Sequence, residues 1–197
     1  MKPSDQLRAE HDAILTMLGV LDRICLRLER REPVPQEHLT GLMEFFQVFA
    51  DRCHHAKEEE FLFPAYEQAG VPRDHGPIGC MLAEHQQGRQ EIARMKQAIE
   101  GMTAGQREAV AVFVAAARGY RELLEAHIEK ENQVLFPMGD RLVTPDRQET
   151  LLKEFDQLEE TRIGAGKHEA FHRLIETLEA TYSSESSCTA CGGCCCG

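Results

Sequence analysis

Apolar residues recur at helical spacing from the first turns of the chain. Leu7, Ile14, Leu15, Leu18, Leu21 and Leu28 make one stripe, which predicts a helix from about Ser4 to Arg31. Glu32-Pro33-Val34-Pro35 breaks it. A second helix is predicted over about 36–68, ending at Gly70-Val71-Pro72, with Pro64 bending or loosening its last turns. The third follows His75-Gly76-Pro77, where proline suits a first helical position, and ends near Gly101. The fourth opens on Thr103-Ala104-Gly105-Gln106, a capping-box pattern, and ends near Gly139. A fifth is predicted from Thr144-Pro145 to about Tyr182, weakened in its middle by Gly164-Ala165-Gly166. No alternating run bounded by turn residues competes with these helices. The expected fold class is all-α: an up-down-up-down antiparallel four-helix bundle with an additional C-terminal helix. The expected domain covers 1–182, with its core in 1–140 and the extra helix at about 145–182.

Polar residues interrupt these stripes in a repeated way. Residues 54–64 read HHAKEEEFLFP and residues 127–137 read HIEKENQVLFP. Aligned on Leu-Phe-Pro, His54 falls on His127, Lys57 on Lys130 and Glu58 on Glu131, at an offset of 73. Upstream, Ala9-Glu10-His11 matches Ala83-Glu84-His85 at an offset of 74. In an α-helix, residues four apart project about 40° from one another, one turn along the axis. His54 and Glu58 therefore project together, as do His127 and Glu131, while His11 and His85 come from the other two helices. Alternate helices of a bundle face one another across the core, so all six side chains can converge. Such a set suits iron better than zinc or manganese, and two bridging carboxylates are what a pair of ions needs. A lone HxxxE is most often a surface hydrogen bond or ion pair. Burying four imidazoles and two carboxylates without a metal would cost several kcal/mol in unsatisfied polar groups. Lys57, Lys130, Glu10 and Glu84 lie about 100° off that face, in solvent-facing or supporting positions.

Composition narrows the partners. The formal net charge of −11 and the lack of a basic cluster argue against nucleic acid. No apolar run approaches the length of a membrane span, and the polar N-terminus MKPSDQLRAEHD does not resemble a signal peptide. A cytoplasmic protein with reduced thiols is the expectation, with no membrane partner.

On His11, His54-xxx-Glu58, His85 and His127-xxx-Glu131, the chain resembles hemerythrin-like proteins of the His-His-Glu cation-binding type, a family of non-haem di-iron four-helix bundles. The likeness covers roughly residues 1–140. It implies two iron ions joined by an oxo or hydroxo bridge, with Glu58 and Glu131 bridging and the four histidines terminal. It also implies a small diatomic ligand or peroxide at the centre, and an electron-donor protein if there is turnover. Ferritin-like oxidases, which use Glu on two helices and ExxH on two, fit this histidine-rich set less well.

The chain departs from oxygen-carrying hemerythrin at Met81, where that family's third helix has a second histidine. Two six-coordinate ions offer about twelve positions; five histidines, two bridging carboxylates and one oxo bridge fill about eleven. With four histidines one position stays open on each ion, which favours sensing or reductive chemistry on O2, peroxide or NO over oxygen storage. That count changes if another side chain fills the gap, and His55, Glu59 and His75 are the candidates. His55 lies about 100° from His54 and is expected to face a neighbouring helix. His38 is expected to be exposed, and His168 and His172 to be ordinary surface residues.

Cys25, Cys53 and Cys80 read as small core residues. Cys188, Cys191, Cys194, Cys195 and Cys196 crowd a tail, 183–197, with almost no other apolar content, expected to be flexible. It suits a soft metal or cluster, thiol exchange, or no defined ligand. Three function classes stay open: a sensor or binding module, a peroxide- or NO-reducing enzyme, and an iron storage or delivery protein passing metal to or from the tail.

Overall fold

The computed structural model describes residues 1–162, 164 and 166–183, and every regular element among them is a helix. The expectations placed on Cys188, Cys191, Cys194, Cys195 and Cys196 lie outside the described residues. Helix α1 is Pro3–Glu29 and α3 is Pro77–Thr103, each with proline in its first turn, where the missing N–H is not needed. Helices α2 (36–68) and α4 (109–142) are continuous but not uniform. In α2, α-helical Gln36–Glu44 passes into π-helical Phe45–His55, then π-helical Glu58–Leu62 and α-helical Phe63–Gln68. In α4, Ala109–Lys130 passes through π-helical Glu131–Leu135 into Phe136–Leu142.

The repeated Leu-Phe-Pro explains two of these π turns. Proline lacks an amide N–H and its ring collides with the carbonyl four residues back, so the turn before Pro64 or Pro137 must open. It does so by one residue: the Phe63 amide donates to the Glu58 carbonyl and the Phe136 amide to the Glu131 carbonyl, five residues away in each case. The longer π stretch at Phe45–His55 has no proline to account for it.

The single helix expected from 145 to 182 is two. Helix α5 is Pro145–Arg162 and α6 is Lys167–Ser183. Between them Gly164 and Gly166 take φ of +83° and +82°, a left-handed backbone that ends a helix and that glycine adopts without strain.

Two apolar clusters fill the bundle. The larger joins Ile14, Leu18 and Leu21 of α1, Phe45, Phe46 and Phe49 of α2, Met95 of α3, Phe113 and Tyr120 of α4, and Phe171, Leu178 and Tyr182 of α6. The second joins Leu7, Leu62, Phe63, Tyr66, Met81, Leu135 and Phe136 with Leu151 and Phe155 of α5. Each such fully buried side chain contributes roughly 1.5–3 kcal/mol. Tyr66 falls on Gly139 in the 73-residue repeat, and its ring occupies the space beside that glycine: a Cβ there would lie 2.2 Å from Tyr66 Cζ. No described helix is long and apolar enough to cross a membrane.

Candidate metal centre

A polar layer separates the two apolar clusters. His11 of α1, His54, His55 and Glu58 of α2, His85 of α3, and His127 and Glu131 of α4 are each no more than 2% exposed. Their ligand atoms form two groups, each within 4.8 Å: His55, Glu58, His85 and His127, and His11, His54, Glu58 and Glu131. All six residues singled out from the repeat are thus brought together, with Glu58 shared between the groups.

Every imidazole is pinned through Nδ1 to an acceptor outside the cluster. His54 donates to Glu10 (2.8 Å), His127 to Glu84 (2.9 Å), His85 to Glu59 (2.7 Å), His11 to the Asn132 side-chain carbonyl (3.1 Å) and His55 to Asp51 (3.4 Å). These partners accept, so Nδ1 carries a proton and each Nε2 turns inward, with a lone pair wherever the ring is neutral. The inward atoms then meet only one another. His85 Nε2 and His127 Nε2 lie 3.1 Å apart. His54 and His85 face different oxygens of Glu58 at 3.5 and 3.4 Å, and His11 and His127 face Glu131 Oε2 at 3.2 and 3.4 Å. His11 Nε2, His55 Nε2 and all four oxygens of Glu58 and Glu131 are buried without a hydrogen-bond partner. Imidazole nitrogens and carboxylates packed together this way are a donor set for cations. Ligand bonds of roughly 2.1 Å place neighbouring donors about 3 Å apart, close to the spacings seen. The residues therefore fit a metal pair.

The electrostatics agree at Glu58, His54 and His55. At His127 burial lowers the ring, but the Glu131 charge and the bonds to Glu131 and Glu84 outweigh it and raise the ring to about 9, so that it keeps a proton a cation would displace. Burial, with the Glu131 charge beside it, pushes Glu58 well above the usual carboxylate range. Burial also drives His54 down to about 4, against the pull of Glu10, and burial with His85, His54 and His127 around it drives His55 well down. The His54 and His55 rings are held neutral, the form that binds metal. Burial raises the Glu10 and Glu84 carboxyls, but bonds from His54 and Lys57, and from His127 and Lys130, outweigh it and hold each at about 2.

The repeat extends to these supporting groups. Glu10 joins His54 to Lys57 as Glu84 joins His127 to Lys130. Glu59 bonds His85 as Asn132, its counterpart, bonds His11. Phe63 stacks on His85 at 5.9 Å and Phe136 on His11 at 5.6 Å.

His55 breaks the symmetry, since its counterpart is Ile128. It does turn towards α3, where its ring stacks on His85 at 3.9 Å, yet it stays within the cluster. The expected 100° offset from His54 assumed an α-helix, whereas π geometry carries Phe45–His55 round more slowly per residue. Arg89 completes this side, donating to Asp51 and Glu59 at 2.7 Å each. Glu59 therefore supports a ligand and sits outside both groups. His75 is exposed in the loop before α3 and belongs to neither group. Against expectation, His38 is half-buried and bonded to Tyr182 at 2.9 Å, and Cys80 is exposed. His168 and His172 are exposed and lie side by side, 4.8 Å between ring centroids.

The model of one protein family, the hemerythrin HHE cation-binding domain, matches residues 2–139. Among curated proteins, the uncharacterized protein Rv1995 of Mycobacterium tuberculosis is 25% identical over 177 residues, 90% of this chain and 68% of its own. The iron-sulfur cluster repair protein YtfE of Escherichia coli is 34% identical over 102 residues, 49% of this chain and 46% of its own. No solved structure matches. With the matched region spanning all seven clustered residues, the chain belongs to the hemerythrin HHE cation-binding family.

Proposed function

We propose that the chain is a non-haem di-iron protein whose centre binds O2, peroxide or NO. The carrying observation is the set of five imidazoles, each fixed through Nδ1, that aim Nε2 at two unpartnered buried carboxylates. His55, His85 and His127 would hold one ion, His11 and His54 the other, with Glu58 and Glu131 between them. Iron there would supply reversible one-electron chemistry and a coordination position for a small ligand. The short links from α1 to α4 support the up-down-up-down order, and a cytoplasmic setting is in keeping with Cys25, Cys53 and Cys80, which form no disulfide among the described residues.

His55 changes the inference drawn from four histidines. A fifth imidazole fills about eleven of twelve positions, leaving one open, on the side of His11 and His54. The more open centre expected from the sequence is withdrawn, and with it the tilt away from reversible binding. The burial of all seven side chains favours a ligand of a few atoms, and Phe63 and Phe136 close the layer over His85 and His11. Reversible binding or sensing is accordingly the first reading, and reductive turnover with an electron donor the second.

Iron delivery is supported by a separate observation, the likeness to a protein named for iron-sulfur cluster repair. One experiment orders these readings: metal content and absorption of the protein reduced without oxygen, then exposed to air. About two irons per chain with oxo-to-iron charge-transfer bands are expected. A lasting adduct supports binding; rapid oxidation without one supports turnover; ready loss of iron to a weak chelator supports delivery. No iron, or zinc alone, overturns the proposal. His55→Ile, which copies the other half, should open a second position and speed oxidation in air.

A further inference from the structure

The repeat also predicts where something is missing. On the first half, α5 lies over α1 and α2. Leu158 packs with Cys53 and Ala56, the Phe155 ring sits 6.5 Å from Phe61, and Ala65 shares a buried cluster with Leu151 and Phe155. Glu159 accepts from Lys57 and, at 3.1 Å, from Gln6, so Lys57 is buried with a carboxylate on each side. Carried through the repeat, Phe61, Ala65 and Ala69 become Val134, Met138 and Leu142, Lys57 becomes Lys130, and Gln6 becomes Cys80. Among the described residues nothing covers this second surface. Val134, Met138 and Leu142, one turn apart along α4, are 50%, 37% and 48% exposed. The Lys130 side chain is 42% exposed, with Glu84 as its acceptor, and Cys80 lies open beside it.

We propose that this α3–α4 face is a docking seat for an amphipathic, carboxylate-bearing helix of a partner protein, the counterpart of α5 on the other half. Its occupant follows from what α5 supplies. Apolar residues at α5 spacing would cover Val134, Met138 and Leu142, and a carboxylate would reach Lys130 as Glu159 reaches Lys57. Glu129, exposed where the first half has Ala56, asks for a basic residue at the position Leu158 holds in α5. Helices laid on a ready apolar stripe in this way bind through a few anchors at i, i+4 and i+7. The seat is coupled to the centre, because Lys130 shares Glu84 with His127.

The probe is α5 itself, supplied as a peptide of residues 145–162 and held helical by a lactam between Glu149 and Lys153, an exposed pair four apart. Anisotropy of the labelled peptide with the full chain should show saturable binding. Val134→Glu or Met138→Glu in the chain should weaken it at least about tenfold. Glu159→Gln in the peptide should weaken it by about threefold, and Leu158→Lys should tighten it. Both chain substitutions fall on exposed side chains, so circular dichroism should match the parent. Lack of saturation by about 1 mM overturns the proposal. So does binding that ignores Val134→Glu and Met138→Glu, since the peptide would then be displacing α5 from its own seat. Self-association of the chain that Val134→Glu abolishes would give the face to a second copy. Binding only after removal of 184–197 would give it to the chain's own terminal segment. Either result also overturns the partner helix.

Discussion

The two halves of this bundle share a chemistry and differ in their surroundings. Glu10, His54 and Lys57 repeat as Glu84, His127 and Lys130, with the same hydrogen bonds. In the first half Lys57 is buried under α5 and takes a second carboxylate, Glu159. In the second, Lys130 is part-exposed and α5 has no counterpart among the described residues. The first half also carries His55, Asp51 and Glu59 where the second has Ile128, Leu124 and Asn132. Orienting a ligand thus needs one acceptor per imidazole and tolerates very different packing outside it.

The sharpest test lies where the halves meet. Glu58→Gln should reduce iron affinity at least about a hundredfold, since losing even a ligand's supporting partner commonly costs about 10–100-fold. The metal-free variant should nevertheless melt higher than its parent at neutral pH, because Glu58 must take up a proton or bury its charge on folding and Gln does neither. Iron titration and thermal unfolding check both; a lower melting point would show that Glu58 is stabilised by something other than a metal.

Lys57→Met breaks the sealed side. Glu10 would keep its bond from His54 but lose its cation, and breaking one partner of a buried pair costs about 3–5 kcal/mol. Urea unfolding of the metal-free protein measures it. Gly139→Ala tests the repeat in the apolar layer, where Tyr66 fills the place a second large side chain would need. The new Cβ would overlap the Tyr66 ring, and overpacking of this kind costs about 1–3 kcal/mol.

Acid should weaken both halves together. Glu10 and Glu84 are held at about 2 in the folded chain, below the ordinary value of 4.5. A lowered carboxylate stabilises above its unfolded value and loses that contribution as pH falls from 4.5 towards 2. Stability of the metal-free protein should therefore decline across that window, and the decline should be smaller in Lys57→Met, where Glu10 has lost one cause of its shift.

The ligand set was legible because it was written twice. An HxxxE pattern at a fixed offset, each copy with an upstream Glu-His, named six of the seven clustered residues and placed Glu10 and Glu84 nearby. His55 escaped because its place depends on π geometry, and an α-helical wheel sets it on another face. A signal existed in the second half's Ile128: a histidine where the repeat carries a buried hydrophobe has a reason to be buried too. The break between α5 and α6 was half legible, since the glycines marked a weak point but not that the chain would turn there. Where α5 lies was not legible at all. Leu151, Phe155 and Leu158 define an inward face, but the groove that receives it is made by residues far apart in sequence, Gln6, Cys53, Ala56, Phe61 and Ala65 with the charge on Lys57.

The smallest expected effect completes the comparison. Lys130→Met removes the counterpart of Lys57, but from a side chain in contact with solvent. An exposed pair contributes about 0–1 kcal/mol, so unfolding should hardly change. Glu84 would still accept from His127, and the imidazole would keep its orientation. Against Lys57→Met the contrast should therefore be several-fold in unfolding free energy, from substitutions identical in chemistry and matched in the repeat. Equal losses would mean that the α3–α4 face is covered in the intact protein after all, and that Lys130 is as enclosed there as Lys57 is beneath α5.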